Sequence, residues 1–388
     1  MDAICRRLIA SRAVRGFADG FVSVLLAFYL KDLGFNGRQI GLIVTATLVG
    51  SAVLTLWVGT RLAHRDSRRV LLIAAALMAA TGLAFSWATR FWPIIIIGFV
   101  GTLNPSGGDV SLFLPVEQSV IADRVDAAGR PALFARYNLA GALAAAAGAL
   151  LAAVPHTLAQ RRYSFLVYVG AAAASAAIYR TLPPIRPVAG SRGRLEKSRR
   201  KVYQLSALFS LDSASGGFAV TSLLVLYLHQ RFHLSVATTG TTLAITSMLG
   251  AFSQLASARL ARRIGLVNTM VFTHIPANLF LITAGLAPFP ALALGALIAR
   301  SALSSMDVPV RQALVMTMVE PAERAAAAAV TNVPRSLATA STPFLAGWLL
   351  DRSVVGWPLV IAGLGKIVYD LLLWRAGTKL TLEPGRVR

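Results

Sequence analysis

The chain has 388 residues, of which 56% are hydrophobic and only 14% are charged, with a mean hydropathy of +0.66. Soluble globular domains average roughly 45–50% apolar and about 25% charged residues, so this composition excludes an ordinary soluble domain and indicates a polytopic membrane protein. The net charge of +22 comes from short basic clusters between apolar runs, and this pattern argues against a nucleic-acid partner.

The sequence also lacks the motifs typical of disulfides, cysteine-based metal sites, nucleotide binding and catalysis. Its single cysteine, Cys5, permits no internal disulfide and no cysteine-based metal site. It contains no Walker phosphate loop, nucleotide fingerprint or catalytic triad, which argues against an ATP-driven pump and against a membrane enzyme. We therefore expect no cofactor and no bound metal.

Twelve apolar runs of about 20 residues follow one another along the chain, and this is the length that crosses a membrane. Because the runs are continuous rather than alternating, they predict helices and not a barrel. Six lie in the first half, near 8–30, 38–62, 70–88, 92–116, 132–154 and 163–182. Six lie in the second half, near 205–228, 236–260, 266–286, 291–315, 325–350 and 357–375.

A polar stretch at 183–203 separates the two sets of runs. It combines many Lys and Arg residues with three prolines and one acid, Glu196. We interpret it as a flexible linker between the halves 1–182 and 204–388, the second of which ends in a short tail. The alternative is a disordered segment between soluble domains.

Basic residues concentrate in the loops that share a side with the linker and both termini. The positive-inside rule then predicts that these parts lie in the cytoplasm. The expected location is the inner or plasma membrane, in contact with lipid, and nothing in the pattern requires more than a monomer.

The two halves share short sequence matches in the same order. Tyr29-Leu30 recurs as Tyr227-Leu228, and residues 115–118 (PVEQ) recur as residues 309–312 (PVRQ). Parallel repeats of this kind predict two pseudo-symmetric six-helix halves around a central cavity.

The loop after the second run carries a family motif. Residues 62–69 (LAHRDSRR), which include Arg65, Arg68 and Arg69, resemble the loop between helices two and three of the major facilitator superfamily, and residues 259–265 (RLARRIG) resemble its second copy. His64 and Arg262 stand where the family has aspartates. The resemblance extends over the whole chain and implies a secondary transporter that works by alternating access.

Ionisable side chains inside the apolar runs cost about 3 kcal/mol or more each, so each needs a partner or a role. Arg15 and Asp19 are four residues apart and are predicted to pair along one helix face. Asp19 is then either a proton-titrating or substrate-contacting carboxylate, or half of a structural ion pair. Asp212 lies in the matching region of the second half and has the same two interpretations.

The fourth run contains the sequence NPSGGD at 104–109. Its proline and glycines predict a break near the middle of the membrane, where broken helices commonly form substrate or ion sites. Asp109 is the strongest single candidate for a functional carboxylate, and the alternative is a hinge in which it caps the next helix. Arg300 and Asp307 in the tenth run would supply the other side of a polar site.

Glu117 and Arg311 occupy equivalent positions of the two repeats and have opposite charges. We predict that they face each other and pair when the cavity closes to the cytoplasm, which would make them a gate. The alternative is two independent side chains that reach the membrane interface. Lys366 and Asp370, four residues apart, are predicted to form a structural pair.

The predicted function is transport of a small organic solute, coupled to protons through Asp19, Asp109 or Asp212. The resemblance favours efflux by an antiporter, and an uptake permease for a nutrient or anion is the near alternative. A membrane sensor that does not transport is the alternative from another class.

Overall fold

The computed structural model describes residues 2–61, 65–105, 112–122, 124, 130–184, 198–319 and 323–381. Within these ranges the chain forms helices and no strand. The predicted all-helical fold is confirmed. Residues 185–197, most of the predicted linker, lie outside the described part, so the boundaries of the two halves remain a prediction.

The described residues of the first half form eight helices. They are α1 (Ala3–Asp32), α2 (Gly37–Arg61), α3 (Ser67–Trp87), α4 (Phe91–Val100), α5 (Phe113–Ala122), α6 (Arg130–Leu151), α7 (Leu158–Tyr163) and α8 (Leu166–Arg180).

Nine helices are described in the second half. They are α9 (Arg199–Gly217), α10 (Thr221–Phe232), α11 (Val236–Ile264), α12 (Leu266–Leu286), α13 (Pro290–Ser304), α14 (Asp307–Met318), α15 (Arg324–Ser341), α16 (Pro343–Arg352) and α17 (Trp357–Thr381).

Sixteen of these described helices occupy the twelve predicted segments, and four segments are each divided between two consecutive helices. The short helix α7 lies between the fifth and sixth segments. The divided segments are the fourth (α4 and α5), seventh (α9 and α10), tenth (α13 and α14) and eleventh (α15 and α16). In the described part, eight helices or helix pairs are long and apolar enough to cross a membrane. The predicted break in the fourth segment is present, because α4 ends at Val100 and residues 101–105 are not helical.

Small residues set the closest packing inside the first half. Helix α1 packs against α6, and a Cβ atom added to Gly20 would lie 2.1 Å from the Ala145 carbonyl oxygen. A Cβ added to Gly148 would lie 2.0 Å from the Phe17 carbonyl oxygen. Backbones this close require glycine, as at many helix contacts within membranes.

The two halves meet through equivalent helices. Helix α2 contacts α15 and α16, which together form the eleventh segment, and α6, the fifth segment, contacts α11, the eighth. Helix α1 contacts α10 in the same way, first segment against seventh. Exchanging the halves turns the contact of segments two and eleven into that of segments eight and five, and turns the contact of segments one and seven into itself. This is the arrangement expected of a pseudo-two-fold axis.

We name the two ends of the bundle by their residues. The linker end holds Asp2, Arg124 and Ser198, and the far end holds Gly37, His229 and Asp351. At the linker end the described hydrogen bonds stay within one half: Arg124 binds Asp2, and the Ser198 backbone N–H binds Glu323.

Contacts between the halves lie toward the far end. The Asp351 carboxylate accepts hydrogen bonds from the backbone N–H groups of Gly37 and Arg38, both at 2.6 Å. Phe28 and His229 make an edge-to-face ring contact with centroids 4.9 Å apart. The described halves are therefore joined at the far end.

The break in the fourth segment also contributes to this contact. The Pro105 carbonyl accepts a hydrogen bond from the Ser222 backbone N–H at 3.1 Å. Ser222 is at the start of α10, and its hydroxyl lies 3.0 Å from the carbonyl oxygens of both Ser23 and Pro105. A backbone carbonyl at the break of the fourth segment and a backbone N–H in the first turn of α10 thus bond to each other across the halves.

Candidate functional site

Glu117 is the centre of a buried polar cluster in the first half. The Arg15 guanidinium on α1 and the Tyr137 hydroxyl on α6 both donate to one oxygen of this α5 carboxylate. The Tyr179 hydroxyl donates to the other oxygen at 2.7 Å. The Arg15 and Glu117 side chains are 1% and 0% exposed. Three hydrogen bonds therefore compensate a carboxylate that has lost its water.

Arg15 pairs with a neighbouring helix, not along its own. The predicted pair with Asp19 is wrong: in the described part of the chain the ion-pair partner of Arg15 is Glu117. The guanidinium also lies over the Phe113 ring, 4.2 Å from its centroid, where the ring face attracts a cation. Spacing along α1 predicted the nearest possible acid, but packing of α5 against the bundle supplied a closer one.

Asp19 lies in a polar environment, with Arg12 and Arg15 near it but beyond ion-pair distance. Its carboxylate lies 3.3 Å from the Tyr168 hydroxyl, and Asn104 is a further hydrogen-bond partner. The same Tyr168 hydroxyl lies 2.7 Å from the Thr102 carbonyl oxygen. No ion pair joins Asp19 to a cation among the residues that the structure describes, although the side chain is only 7% exposed.

Asp212 is the centre of the corresponding cluster in the second half. One carboxylate oxygen accepts from Lys366 on α17 at 2.6 Å, and the other lies 3.2 Å from Arg311 on α14. Arg311 also lies 3.2 Å from Asp307 at the start of its own helix. Asp212 is therefore bonded to two cations within a buried set of charges.

The predicted pair of Lys366 and Asp370 is also wrong. Lys366 binds Asp212, while Asp370 binds Nδ1 of His274 at 2.9 Å and the Asn278 amide at 3.1 Å. Helix α17 contacts both α9, which carries Asp212, and α12, which carries His274 and Asn278, so the two side chains have different partners. Sequence reasoning missed His274 and Asn278, although an ionisable group within the apolar run 266–286 was an available signal.

The two clusters are related by the repeat with their charges exchanged. In the first half a cation of the first segment, Arg15, pairs with an acid of the fourth, Glu117. In the second half an acid of the seventh segment, Asp212, pairs with a cation of the tenth, Arg311. Glu117 and Arg311 thus bind within their own halves in this structure. Their pairing when the linker end closes remains a prediction.

Arg300 is a different case from the other charged side chains of the second half. It lies near the end of α13, just before the break at Ser305 and Met306. Its Nε atom is buried without a hydrogen-bond partner. Within the described ranges no carboxylate lies within ion-pair distance of its guanidinium.

Some predicted site residues are not placed in either cluster. Asp109, with residues 106–111, lies outside the described residues, as do residues 62–64 of the loop motif. Arg65 and Arg69 are exposed at the linker end. Arg68 lies in the first turn of α3, where its backbone N–H donates to the Asp66 carboxylate that caps the helix. Among the described residues, no group of three or more His, Cys, Asp or Glu is placed to hold a metal ion.

Solved structures with a similar fold include several transporters. The nucleoside transporter NupG aligns with a TM-score of 0.71 at 15% identity, over 96% of this chain and 99% of the other. The xylose transporter XylE from E. coli gives 0.74 at 13% identity, over 96% of each chain. The human organic anion transporter TETRAN gives 0.69 at 16% identity, over 96% of this chain and 100% of the other. At such identities the likeness shows the fold.

Sequence comparison gives the family. An uncharacterized membrane protein of Saccharomyces cerevisiae is 24% identical over 412 aligned positions, covering 94% of this chain and 92% of the relative. The sequence profile of the Major Facilitator Superfamily matches residues 8–306, which is most of the chain. With its helical bundle of two related halves, this multi-pass membrane protein therefore belongs to the Major Facilitator Superfamily.

Proposed function

We propose that the protein is a secondary active transporter that moves a small organic solute by alternating access. The observation that carries the proposal is that each half holds a buried cluster of charged side chains, with the positions of acid and cation exchanged between the halves. The described contacts between the halves lie toward the far end. The Arg15–Glu117 and Asp212–Arg311 pairs each lie within one half, so the halves can move against each other without breaking either pair.

We further propose that the linker end faces the cytoplasm of an inner or plasma membrane, and that the chain works as a monomer. The concentration of basic residues on that side supports this orientation. The described contacts then correspond to a conformation open to the cytoplasm. Proton-coupled efflux is the preferred direction, and uptake of a nutrient or anion uses the same geometry.

Asp19 is the preferred proton carrier of the three predicted acids. Asp212 is bonded to two cations, whereas Asp19 has a hydroxyl neighbour and no counter-ion among the described residues. Tyr168 has one hydroxyl proton for two acceptors, and its shorter contact is to the Thr102 carbonyl. A protonated Asp19 can donate to the Tyr168 oxygen, so both protonation states have a partner. Asp109 stays an untested second candidate.

The test uses purified protein in proteoliposomes that contain a trapped pH-sensitive dye. Uridine, xylose and benzoate are added in turn across an imposed pH gradient. We expect at least one compound to move protons in the wild type, and Asp19→Asn to abolish proton movement while retaining exchange of labelled compound. Asp32→Asn is the matched control, because Asp32 lies on the same helix but binds Arg161 at the far end.

The same assay separates the functional classes. A folded wild-type protein that moves none of the probes, with or without a gradient, favours a sensor that does not transport. Flux without proton movement rejects proton coupling and retains transport. Proton movement that survives in Asp19→Asn rejects Asp19 as the carrier.

A further inference from the structure

Arg300 lies among charges that are already compensated. Asp212 and Asp307 are the carboxylates whose charges act on it. Asp212 uses both oxygens on Lys366 and Arg311, at 2.6 and 3.2 Å, and Asp307 is bonded to Arg311 at 3.2 Å. Asp370, whose charge acts on Asp212 and Lys366, is bonded to His274 at 2.9 Å. Each of these carboxylates thus has another partner, and Arg300 has no ion-pair partner among the described residues.

A cation without an ion-pair partner at this depth is unfavourable in the ligand-free protein. Arg300 is in the middle of the tenth segment, and its Nε atom is buried without a described hydrogen-bond partner. An uncompensated charge inside a membrane costs several kcal/mol unless a partner of opposite charge arrives. The charges of Asp212 and Asp307 act on it, so the side chain faces the interior of the bundle and not the lipid.

Guanidinium chemistry defines the missing partner. Its planar set of N–H donors matches a carboxylate or phosphate group with two parallel hydrogen bonds. We propose that Arg300 binds the anionic group of the transported solute, which is therefore a small water-soluble organic anion. This inference rests on the proposed transport function and names the substrate class of the same central site.

The first test needs no ligand. Because Arg300 is uncompensated, Arg300→Gln should leave the melting temperature of the ligand-free protein in detergent unchanged or raise it by a few degrees. Lys366→Gln, which leaves the Asp212 oxygen without its cation, should lower it. A fall in Arg300→Gln as large as that in Lys366→Gln means that Arg300 is a structural partner of the cluster, and this overturns the proposal.

The second test uses matched pairs of anionic and neutral probes: benzoate with benzamide, gluconate with glucose, and uridine monophosphate with uridine. At least one anion should stabilise the wild type more than its neutral analogue, since a ligand stabilises the form it binds. Arg300→Gln should weaken the binding of that anion about tenfold or more. Arg352→Gln is the control, because Arg352 lies over the Trp348 ring at the far end.

Several results would reject the anion site. The first is a wild type that no anion stabilises more than its neutral analogue. The second is an anion effect that Arg300→Gln retains. The third is an effect seen only in vesicles of phosphatidylglycerol and not in detergent, because the anionic lipid headgroup is then its source. Flux assays keep the two proposals apart. Exchange of uridine or glucose without binding of anions leaves transport intact and removes the anion site. Binding of an anion through Arg300 without any flux supports the site and removes transport.

Discussion

At the scale of single residues, the buried charges are held by partners on other helices. Arg15 binds Glu117 and Asp212 binds Lys366 and Arg311, with all five side chains largely buried. Removal of one member of a buried pair leaves the other without compensation, which typically costs about 3–5 kcal/mol. The identity of each partner can therefore be measured from stability alone.

We predict that Glu117→Gln lowers the free energy of unfolding by about 3–5 kcal/mol, because Arg15 loses its counter-ion. Tyr179→Phe should cost less, about 1.5–3 kcal/mol, the value of one hydrogen bond to a charged group. Thermal unfolding in detergent measures both changes. If Glu117→Gln is no more harmful than Tyr179→Phe, the ion pair is not a main source of stability.

We predict that Lys366 is energetically coupled to Asp212 and not to Asp370. In a double-mutant cycle, Lys366→Gln and Asp212→Asn should show a coupling of about 0.5–3 kcal/mol, because the two groups are bonded at 2.6 Å. The cycle of Lys366→Gln with Asp370→Asn should give a smaller value. A larger coupling to Asp370 would restore the pair predicted from spacing.

At the scale of helices, the positions of small residues decide how the segments pack. Glycines on α1 and α6 allow backbone contacts that no other residue permits, and prolines or glycines divide the fourth segment. The divided segments leave carbonyl and N–H groups that must find partners elsewhere, as Pro105 does with Ser222.

We predict that Gly20→Val disrupts the contact of α1 with α6, because its Cβ would lie 2.1 Å from the Ala145 carbonyl oxygen. The expected result is a loss of folded protein in size-exclusion chromatography, or a large fall in melting temperature. Gly170→Val is the control, since no atom lies within 4 Å of a Cβ added there. Equal behaviour of the two variants would contradict the close packing.

At the scale of the whole molecule, the far-end contact decides which conformation is populated. Asp351 on α16 caps the N-terminus of α2 across the halves, and Thr45 accepts a hydrogen bond from the Phe344 backbone N–H at 3.0 Å. A carboxylate at a helix N-terminus is stabilising both as a cap and through the helix dipole. These contacts exist only while the far end is closed.

We predict that Asp351→Ala shifts the equilibrium about tenfold towards opening of the far end, since a lost cap costs roughly 1 kcal/mol or more. Spin labels are attached at Asn36→Cys and Val354→Cys in a Cys5→Ser background. Opening of the far end then appears as a longer distance between the two labels in pulsed electron paramagnetic resonance. Asp32→Ala is the control, because its partner Arg161 belongs to the same half. An unchanged distance distribution would show that Asp351 does not hold the end closed.

The sequence by itself determined the class, the twelve segments, the repeat and the break in the fourth segment. These features follow from hydropathy, from helix-breaking residues and from internal similarity, all of which are local or periodic properties of the chain. The same reasoning identified Arg15, Glu117, Asp212 and Arg311 as ionisable groups that need partners inside a membrane.

Only the tertiary structure decided which partners they have. Spacing predicted Arg15 with Asp19 and Lys366 with Asp370, but packing of α5 and α9 against these helices supplied closer counter-ions. His274 likewise acquires its role from Asp370 on another helix. The physical reason is that a buried charge is stabilised by the group nearest in space, and helix packing brings together groups that lie far apart in the chain.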